Sequence, residues 1–299
     1  DRRTLCEAKD ETLWIGANVH GCAAYKDGKF TKFSTADGLT SNTILALYGS
    51  SDSTIWIATD GGGLNAYKNG RFSAYTSKDG LSGDVVFCMY EDAEHTLWVG
   101  TSGGLSRLKA GKITAYTSRN GLYGNDVFQI LEDDDGYLWM NCNTGIFRVS
   151  KAELNEVAEG KRSEVSSRAF GVESGMKTNE GITPATACKT KDGMLWFPTA
   201  KGAVKINPKV LPKNLTPPPV HIEEVYVDNE RWTKMQDIVL EAGVKRLEFH
   251  YTGLSLLAPK KVRFRYWLEG FDKTWNEAET QRIAVYTNLP PNTYTSVSY

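Results

Sequence analysis

The sequence lacks long apolar runs and has no excess of charge of one sign. A bilayer-spanning helix needs about 20 consecutive apolar residues, and no segment of this chain approaches that length. The 299 residues include 35 lysines and arginines against 36 aspartates and glutamates, which gives a formal net charge of −1. Since binding to nucleic-acid phosphates requires a basic surface, we expect no nucleic-acid partner. We expect membrane contact only through flanking segments outside this chain.

Common metal-binding and catalytic motifs are absent as well. The five cysteines lie at least 16 positions apart, which excludes a C-x-x-C zinc or redox motif, and the four histidines show no H-x-x-x-H pairing. There is no G-x-S-x-G elbow and no Walker loop, so we predict no cofactor, no metal and no catalytic residue. The cysteines are interpreted as small buried residues in strands, with one disulfide or a reactive thiol as the alternative. The cysteines are Cys6, Cys22, Cys88, Cys142 and Cys188, and the histidines are His20, His95, His221 and His250.

Two polar segments look like ligand-binding loops but are better explained as turns. The glycines of DGGGL at 60–64 do not complete a G-x-G-x-x-G motif. The EDDDG segment at 132–136 lacks the alternating oxygen ligands of a calcium loop. Polar turns recur at the equivalent positions of other repeats, so we interpret both segments as structural.

An internal repeat is the strongest signal in the sequence. Tryptophan recurs at Trp14, Trp56, Trp98, Trp139 and Trp196, with spacings of 42, 42, 41 and 57 residues. A period of about 42 residues matches a four-stranded propeller blade. We therefore predict an all-β fold with about five visible blades, part of a larger propeller. The tryptophans are expected to fill the same slot between blades each time.

Each repeat contains four short runs of apolar, aromatic and β-branched residues. In the third repeat they lie at 85–90, 97–101, 105–108 and 113–117. Sequences such as EDAEH after the first run and KAGK after the third suit tight hairpin turns with positive φ. The first copy is expected to lack its innermost strand, with further blades upstream.

An insertion of about 15 residues precedes the last copy, between Phe147 and Phe170. Its sequence SKAELNEVAEGK predicts one short helix near 150–162. Ser150 and Glu153 have the spacing of a capping box, and Leu154 and Val157 form a narrow apolar stripe. We expect this helix to pack on the propeller rim, or alternatively to bind a partner.

A proline-rich segment at 215–219 marks a change of composition and predicts a domain boundary. The two predicted domains are 1–214 and 215–299. Alternating segments at 220–227, 246–251, 262–268, 283–286 and from 294 onward predict an immunoglobulin-like antiparallel β-sandwich. Its last strand is expected to continue beyond Tyr299.

Both parts resemble known modules. Residues 62–108, GGLNAYKNGRFSAYTSKDGLSGDVVFCMYEDAEHTLWVGTSGGLSRL, resemble the regulator-propeller repeats of bacterial two-component sensors. The segments VHIEEVYVDN, LEFHYTGLSL, VRFRYWLEGFDKTW and YTNLPPNTYT resemble the triple-tyrosine (Y_Y_Y) domain of the same sensors. The tyrosines of that resemblance are Tyr251, Tyr266, Tyr286 and Tyr294.

The resemblance implies the periplasmic, extracytoplasmic region of an inner-membrane protein. In such sensors the β-sandwich leads into a membrane helix and a cytoplasmic output domain, often a histidine kinase. The expected function is ligand sensing and signal transmission in a membrane-anchored two-component sensor, with no enzymatic activity in this fragment. The alternatives are a propeller-class enzyme such as a lyase and a protein-interaction scaffold without a small-molecule ligand. Relatives carry more blades than the five repeats found here, which leaves ring closure open.

Propellers generally bind ligands at one end of the central channel, where two sets of loops meet. A ring of small polar groups there could bind a carbohydrate or another polar small molecule, while Asn and Asp at repeated loop positions also cap turns. The sequence also leaves open whether the chain forms a homodimer. The loop that precedes each innermost strand contributes Asn42, Asp84, Asn125, Asn179 and Glu180, and the loop between the second and third strands contributes Asn18, His20, Asp60, Ser102, Asn143 and Lys201.

Tyr123 differs from the small residues at its repeat position. Its ring could stack on a sugar or pack on the propeller rim. For the enzyme alternative, Asp84, His20 and Glu180 are the candidates for acid–base chemistry.

Overall fold

The computed structural model describes residues 2–183, 186–211, 219–232, 238–240, 243–253 and 262–298. The chain divides into two compact units, Asp1–Leu211 and Pro212–Tyr299. The proline-rich segment at 215–219 lies outside the described residues except for Pro219.

The first unit consists of antiparallel sheets that follow one another along the chain. The first sheet contains β1 (Arg2–Glu7), β2 (Leu13–Ala17), β3 (Cys22–Lys26) and β4 (Lys29–Phe33), and the second contains β5 (Ile44–Gly49), β6 (Ile55–Thr59), β7 (Leu64–Lys68) and β8 (Arg71–Tyr75). The third contains β9 (Val86–Glu91), β10 (Leu97–Thr101), β11 (Gly104–Lys109) and β12 (Lys112–Tyr116). The fourth contains β13 (Gln129–Glu132), β14 (Tyr137–Cys142), β15 (Gly145–Ser150) and β16 (Arg168–Phe170), and the fifth contains β17 (Cys188–Lys189), β18 (Leu195–Thr199) and β19 (Gly202–Ile206).

These sheets are propeller blades. In each one the strand order equals the chain order, and the first strands of consecutive blades pack side by side, β1 on β5, β5 on β9 and β9 on β13. The predicted all-β propeller is thereby confirmed. We call the strands of a blade a to d, starting from this inner position.

The expectation that the first blade lacks its inner strand is wrong. β1 pairs with β2, with a register shift between Arg2 and Thr4. The side chains of this strand alternate in exposure, but its leucine lies on the solvent side: Leu5 is 60% exposed, and Thr4 and Cys6 on the other side are only half-buried. Backbone pairing rather than apolar burial defines this strand.

The repeated tryptophans of the first four blades pack against an aromatic residue on strand d of the same blade. Trp98 lies 6.4 Å from Tyr116 and Trp56 lies 5.9 Å from Tyr75, measured between ring centroids. Trp98 is buried, as are Trp14 and Trp139, whereas Trp56 and Trp196 are half-buried. Trp14, Trp56, Trp98 and Trp139 each join the apolar cluster between their own blade and the next, as the repeat predicted, although their indoles are covered to different extents.

The turns between strands c and d have the left-handed backbone predicted for them. The φ angles are 48° and 78° at Asp27 and Gly28, 51° and 77° at Asn69 and Gly70, and 50° and 76° at Ala110 and Gly111. Two consecutive positive φ angles match the twist of the flanking strands.

In the fourth blade a helix, α1 (Lys151–Ala158), takes the place of this turn. Leu154 is its buried residue. The predicted capping box is wrong: the Ser150 side chain makes no capping hydrogen bond. Glu153 instead accepts the backbone N–H of Ser166 at 2.7 Å, because the returning chain passes beside the first helical turn.

The second unit contains two antiparallel sheets. One contains β20 (Val220–Val227), β21 (Glu230–Trp232), β22 (Arg246–Gly253) and β25 (Ile283–Thr287), and the other contains β23 (Phe264–Glu269), β24 (Asn276–Glu279) and β26 (Thr295–Ser298). Buried residues of both sheets, including Phe249 and Leu268, form one cluster. The predicted β-sandwich is confirmed.

The tyrosines singled out in the second unit form a connected aromatic series. Ring centroids are 6.3 Å apart for Tyr251 and Tyr266, and 5.9 Å apart for Tyr266 and Tyr286. Phe271 connects Tyr286 to Tyr294 at 5.8 and 6.4 Å. The repeated tyrosines are therefore core elements of the sandwich.

Candidate functional site

The antiparallel order of each blade divides its connections between two faces. The d-a loops, which join consecutive blades, and the b-c loops lie at one end of the strands, which we call the loop face. The a-b and c-d turns lie at the other end, which we call the turn face. Every residue that the sequence predicted as ligand-binding lies on the loop face.

Buried anchors hold the d-a loops in place. Leu39, Leu81 and Leu122 occupy equivalent loop positions and are each no more than 4% exposed. Next to the first of them, the backbone N–H of Thr40 donates to Asn65 Oδ1 at 3.1 Å, and Asn65 Nδ2 donates to Thr40 Oγ1 at 2.6 Å. Asn65, which was not among the residues predicted from the sequence, thereby links the loop to strand c.

Four of the predicted residues cap the short 3₁₀ turn in their own d-a loop. Each accepts a hydrogen bond from the backbone N–H seven residues earlier. The pairs are Asn42 with Thr35 at 2.9 Å, Asp84 with Ser77 at 2.6 Å, Asn125 with Ser118 at 2.9 Å, and Asn179 with Val172 at 2.7 Å. Asp84 also accepts from Ser77 Oγ at 2.8 Å. These acceptor oxygens are therefore occupied within the chain.

The b-c loop residues are more available. Backbone N–H groups of Asp60 and Ser102 donate to Thr43 and Val85 at 3.0 Å, which fixes the loops, and Asn143 Nδ2 donates to Asp126 Oδ2 at 3.0 Å. Among the described residues the remaining side chains of this group have no hydrogen-bond partner. These side chains belong to Asn18, which is half-buried, and to His20, Asp60, Ser102 and Lys201, which are exposed.

Tyr123 connects the d-a and b-c loops at the fourth blade. It is 45% exposed, and its hydroxyl donates to the Thr144 carbonyl at 3.3 Å. Its backbone N–H donates to Ser167 Oγ at 3.1 Å, and its ring centroid lies 5.7 Å from that of Phe147. Tyr123 is both packed and accessible, so rim packing and ligand stacking are compatible.

The three acid–base candidates are not brought together. Asp84 is engaged with Ser77, and His20 and Glu180 are exposed. Within the described part of the chain, no hydrogen bond joins any two of His20, Asp84 and Glu180. The arrangement offers separate polar groups for binding rather than a coupled acid–base pair.

The turn face contains a polar cluster that sequence analysis missed. The Glu91 carboxylate, whose side chain is 7% exposed, accepts from Ser51 Oγ at 2.7 Å and from Ser50 Oγ at 2.8 Å. His95 Nδ1 lies 3.1 Å from Glu91 and 2.8 Å from Ser51 Oγ. Because the same imidazole nitrogen faces both groups, the Ser-His-Glu relay of a hydrolase is not formed. The sequence signal was the recurrence of Glu91 as Glu132.

The acidic segment at 132–136 is a structural turn. Asp133 accepts the backbone N–H groups of Asp135 at 3.0 Å and Tyr137 at 2.9 Å, and the indole N–H of Trp139 at 2.7 Å. Within the described ranges, no group of three or more His, Cys, Asp or Glu side chains could hold a metal ion.

All five cysteines are free and lie in strands. Cys22, Cys88 and Cys142 are buried, Cys6 is half-buried and Cys188 is exposed. Burial raises the pKa of the Cys22 and Cys88 thiols to about 12. The thiols of Cys22 and Cys88 are therefore poor nucleophiles at neutral pH.

Two grooves open between neighbouring blades, away from the loop face. The groove between blades 1 and 2 has a volume of about 640 Å³, and the one between blades 2 and 3 about 820 Å³. Neither is lined by any residue that the sequence predicted as ligand-binding.

Family models match both parts of the chain. The two-component regulator propeller model matches residues 38–61 and 80–103, and the Y_Y_Y domain model matches residues 256–296. The chain thus contains both modules that the sequence predicted. A search of curated proteins found no match. No helix within the described ranges has the length and apolar character that crossing a bilayer requires.

Several solved structures are similar in fold. The extracellular domain of the hybrid two-component system BT3049 from B. thetaiotaomicron matches with a TM-score of 0.72 and 19% identity, over 100% of this chain and 41% of its own. The extracellular domain of the one-component system BT4673 from the same organism matches with a TM-score of 0.44 and 18% identity, over 99% and 53%. Virginiamycin B lyase from Staphylococcus aureus matches with a TM-score of 0.50 and 17% identity, over 83% and 76%. This chain therefore spans less than half the length of the BT3049 domain, and the likeness concerns the fold.

Proposed function

We propose that this chain, with regulator-propeller repeats in its first unit and a Y_Y_Y domain in its second, is the ligand-sensing and signal-transmitting module of a membrane-anchored two-component sensor. The pairing of these modules in one chain is the observation that carries the proposal. The fold match to an extracellular sensor domain supports an extracytoplasmic location. Since a fold does not fix a function, the choice of ligand depends on the loop face.

The ligand that fits the loop face best is a carbohydrate or another small molecule rich in hydroxyl groups. Hydroxyl groups both donate and accept hydrogen bonds, and the exposed side chains of His20, Asp60 and Lys201 offer both kinds of partner. Tyr123 adds an accessible aromatic ring. The proposal assigns binding rather than catalysis to this chain, because both family matches are to sensor modules.

Signal transmission requires that the ligand favour one of two states of the chain. The loop face suits this role because its d-a loops connect consecutive blades. Their positions are fixed by buried leucines and by the capping residues. A ligand that bridges several loops would therefore change the relation between blades rather than one side chain. The Y_Y_Y domain is proposed to receive that change.

A thermal-shift screen of the whole chain against mono- and oligosaccharides and polar metabolites tests the proposal. A ligand that binds only the folded state stabilises it by about 2.7 kcal/mol at a hundredfold excess over its dissociation constant. We expect a saturable shift, with affinity weakened about tenfold or more by Tyr123→Ala and Asp60→Ala together.

Lys29→Ala serves as the matched control, because Lys29 is exposed and begins β4 beside the c-d turn, at the opposite end of the strand from the loop face. This variant should bind like the wild type. If no compound shifts the midpoint, small-molecule sensing by this chain is wrong. If a ligand binds the double variant unchanged, the assignment of the site to the loop face is wrong.

A further inference from the structure

We propose that the groove between blades 2 and 3 is a docking site for a short amphipathic helix of a partner protein. The partner helix would present a lysine in its first turn and a leucine three residues later. The groove lies on the rim beside the turn face and has a volume of about 820 Å³. This inference goes beyond the proposed function and does not depend on the loop-face ligand.

The next groove along the propeller, between blades 3 and 4, shows how such a helix binds. There α1 lies across the outer strands of blade 3, with Leu154 packed in one buried cluster with Trp98 and Tyr116. Tyr116 donates its hydroxyl to the Leu154 carbonyl at 2.6 Å, and Arg107 Nε donates to Asn155 Oδ1 at 2.9 Å. As a result Trp98 and Tyr116 are completely buried.

The first turn of α1 is fixed by charge and by a backbone hydrogen bond. Lys151 Nζ lies 2.6 Å from Glu132 Oε1 and 3.6 Å from Asp92 Oδ2. The backbone N–H of Lys151 donates to the Gly136 carbonyl at 3.0 Å. Lys151 and Leu154 thus secure the helix at two points, one polar and one apolar.

The groove between blades 2 and 3 repeats the aromatic pair and the glutamate without a helix, with Ala66 at the position of Arg107 and Ser50 at the position of Asp92. Trp56 pairs with Ala66 as Trp98 pairs with Arg107, and Tyr75 takes the place of Tyr116. The Trp56 and Tyr75 rings are 5.9 Å apart, close to the 6.4 Å of Trp98 and Tyr116. Both rings remain half-buried. The aromatic surface that receives Leu154 in one groove is therefore open in the other.

The acidic element is repeated as well. Glu91 ends β9 as Glu132 ends β13. Burial raises the pKa of Glu91, but hydrogen bonds from Ser51 and Ser50 together lower it by a larger amount. The resulting pKa is below the usual range of a glutamate. Glu91 is therefore an anion at neutral pH. Lys9 and Lys68 also line this groove, but they bond to the Ser51 carbonyl and to Asp52. Both oxygens of Glu91 already accept hydrogen bonds from Ser50 and Ser51, so an incoming lysine would pair with Glu91 by displacing the exposed imidazole of His95, whose Nδ1 lies 3.1 Å away.

Neighbouring grooves lack part of this set. In the groove between blades 1 and 2, Phe33 occupies the position of Tyr75 and has no hydroxyl group. Gly49 occupies the position of Glu91 and provides no carboxylate. Tyr67 packs against Trp14 there, with ring centroids 5.1 Å apart. Between blades 4 and 5, Leu211 packs on the cluster that contains Trp139. The combination of a half-buried Trp-Tyr pair and a glutamate therefore points to the groove between blades 2 and 3.

The probe for this proposal is a fluorescent peptide with the sequence of residues 150–161 of this chain. Short helices are marginal in water, so the peptide carries a lactam between positions 152 and 156, made by Ala152→Lys joined to Glu156. Both positions are exposed in α1 and lie four residues apart. We expect saturable binding to the whole chain in a fluorescence-anisotropy titration, weakened about fivefold to tenfold by Tyr75→Phe and by Glu91→Gln.

Thr31→Ala, in the groove between blades 1 and 2, should leave peptide binding unchanged, and a peptide with Leu154→Asp should not bind. Three results would overturn the proposal. The peptide fails to bind, or both groove variants bind it like the wild type, or binding is lost with Tyr116→Phe but retained with Tyr75→Phe. The last result would mean that the peptide replaces α1 in its own groove.

Discussion

Trp98 donates its indole N–H to the carboxylate of Asp92, 3.0 Å away, inside the third blade. Asp92 also accepts the backbone N–H groups of Glu94 at 2.9 Å and Thr96 at 3.0 Å. One buried carboxylate therefore closes the a-b turn and fixes the repeated tryptophan of strand b. The fourth blade repeats the arrangement with Trp139 and Asp133 at 2.7 Å.

Replacing Asp92 should destabilise the propeller. Asp92→Ala leaves the Trp98 indole N–H and two turn N–H groups without their acceptor, so we expect the free energy of unfolding to fall by about 2–3 kcal/mol. Asp135→Ala is the matched control, because Asp135 is an exposed aspartate in the a-b turn of the fourth blade. It should change the free energy of unfolding by about 0.5 kcal/mol or less. Urea denaturation measures both, and equal losses would contradict the assigned role of Asp92.

The same carboxylate should contribute to acid sensitivity. Burial raises the pKa of Asp92. Hydrogen bonds from Trp98 and Thr96 and the positive charge of Lys151 together lower the pKa by a larger amount, so it lies below the usual range of an aspartate. The pKa of an aspartate in the unfolded chain is about 3.9. Because the pKa of Asp92 is lower in the folded state, its ionised form stabilises that state at pH values above about 3.9, and this stabilisation is lost as the pH falls through the folded-state pKa. The difference in unfolding free energy between wild type and Asp92→Asn should therefore be largest at neutral pH and shrink below about pH 4. Urea titrations across this range measure it, and a constant difference would argue against an ionised Asp92.

The capping residues of the d-a loops should be sensitive to loss of their acceptor oxygen. Asn125→Ala removes the bond to the Ser118 N–H and should lower the unfolding free energy by about 1 kcal/mol. Asn125→Asp keeps an acceptor, as Asp84 does in the preceding repeat, and should be nearly neutral. Chemical denaturation compares the two variants, and similar losses for both would mean that the amide group has another role.

Ala110 offers a stabilising substitution. Its φ is 50°, in the left-handed region that asparagine tolerates better than alanine, and Asn69 occupies the equivalent position with a φ of 51°. Ala110→Asn should therefore raise the unfolding free energy by about 0.5–1 kcal/mol, and Asn69→Ala should lower it by a similar amount. Thermal or urea unfolding tests this pair. A loss of stability in Ala110→Asn would show that side-chain contacts outweigh backbone strain at this turn.

Blade architecture could be predicted from the sequence because the same physical requirements recur in each copy. The spacing of Trp14, Trp56 and Trp98 indicated the repeat, and the glycines of the c-d turns indicated backbone that few other residues adopt. The helix near 150–162 was also predictable, since it interrupts a period that is otherwise constant. These signals are local, and the structure retains them.

Features that depend on distant parts of the chain were not predictable in the same way. Glu153 has capping-box spacing, but it bonds to Ser166, which only the returning chain brings close. β1 was missed because its strand character depends on pairing with β2. Asn42 and Asn125 were correctly placed on loops, yet their hydrogen bonds are made within the chain.

The open groove was also hidden from the sequence. Trp56 and Trp98 look equivalent in an alignment of repeats, and one is half-buried while the other is covered by a helix. Exposure of Trp56 depends on the absence of an insertion in the third blade. A comparison of repeats can show that difference, but only the folded chain shows which surface the insertion covers.

Hydrogen–deuterium exchange of the whole chain, with and without the saccharide that gives the largest thermal shift, tests the sensing account most directly. We expect slower exchange in the d-a and b-c loops of the loop face, around Tyr123 and Asp60, together with a change in the strands of the second unit. Protection confined to the turn face or to the grooves between blades, with no change in the second unit, would contradict it.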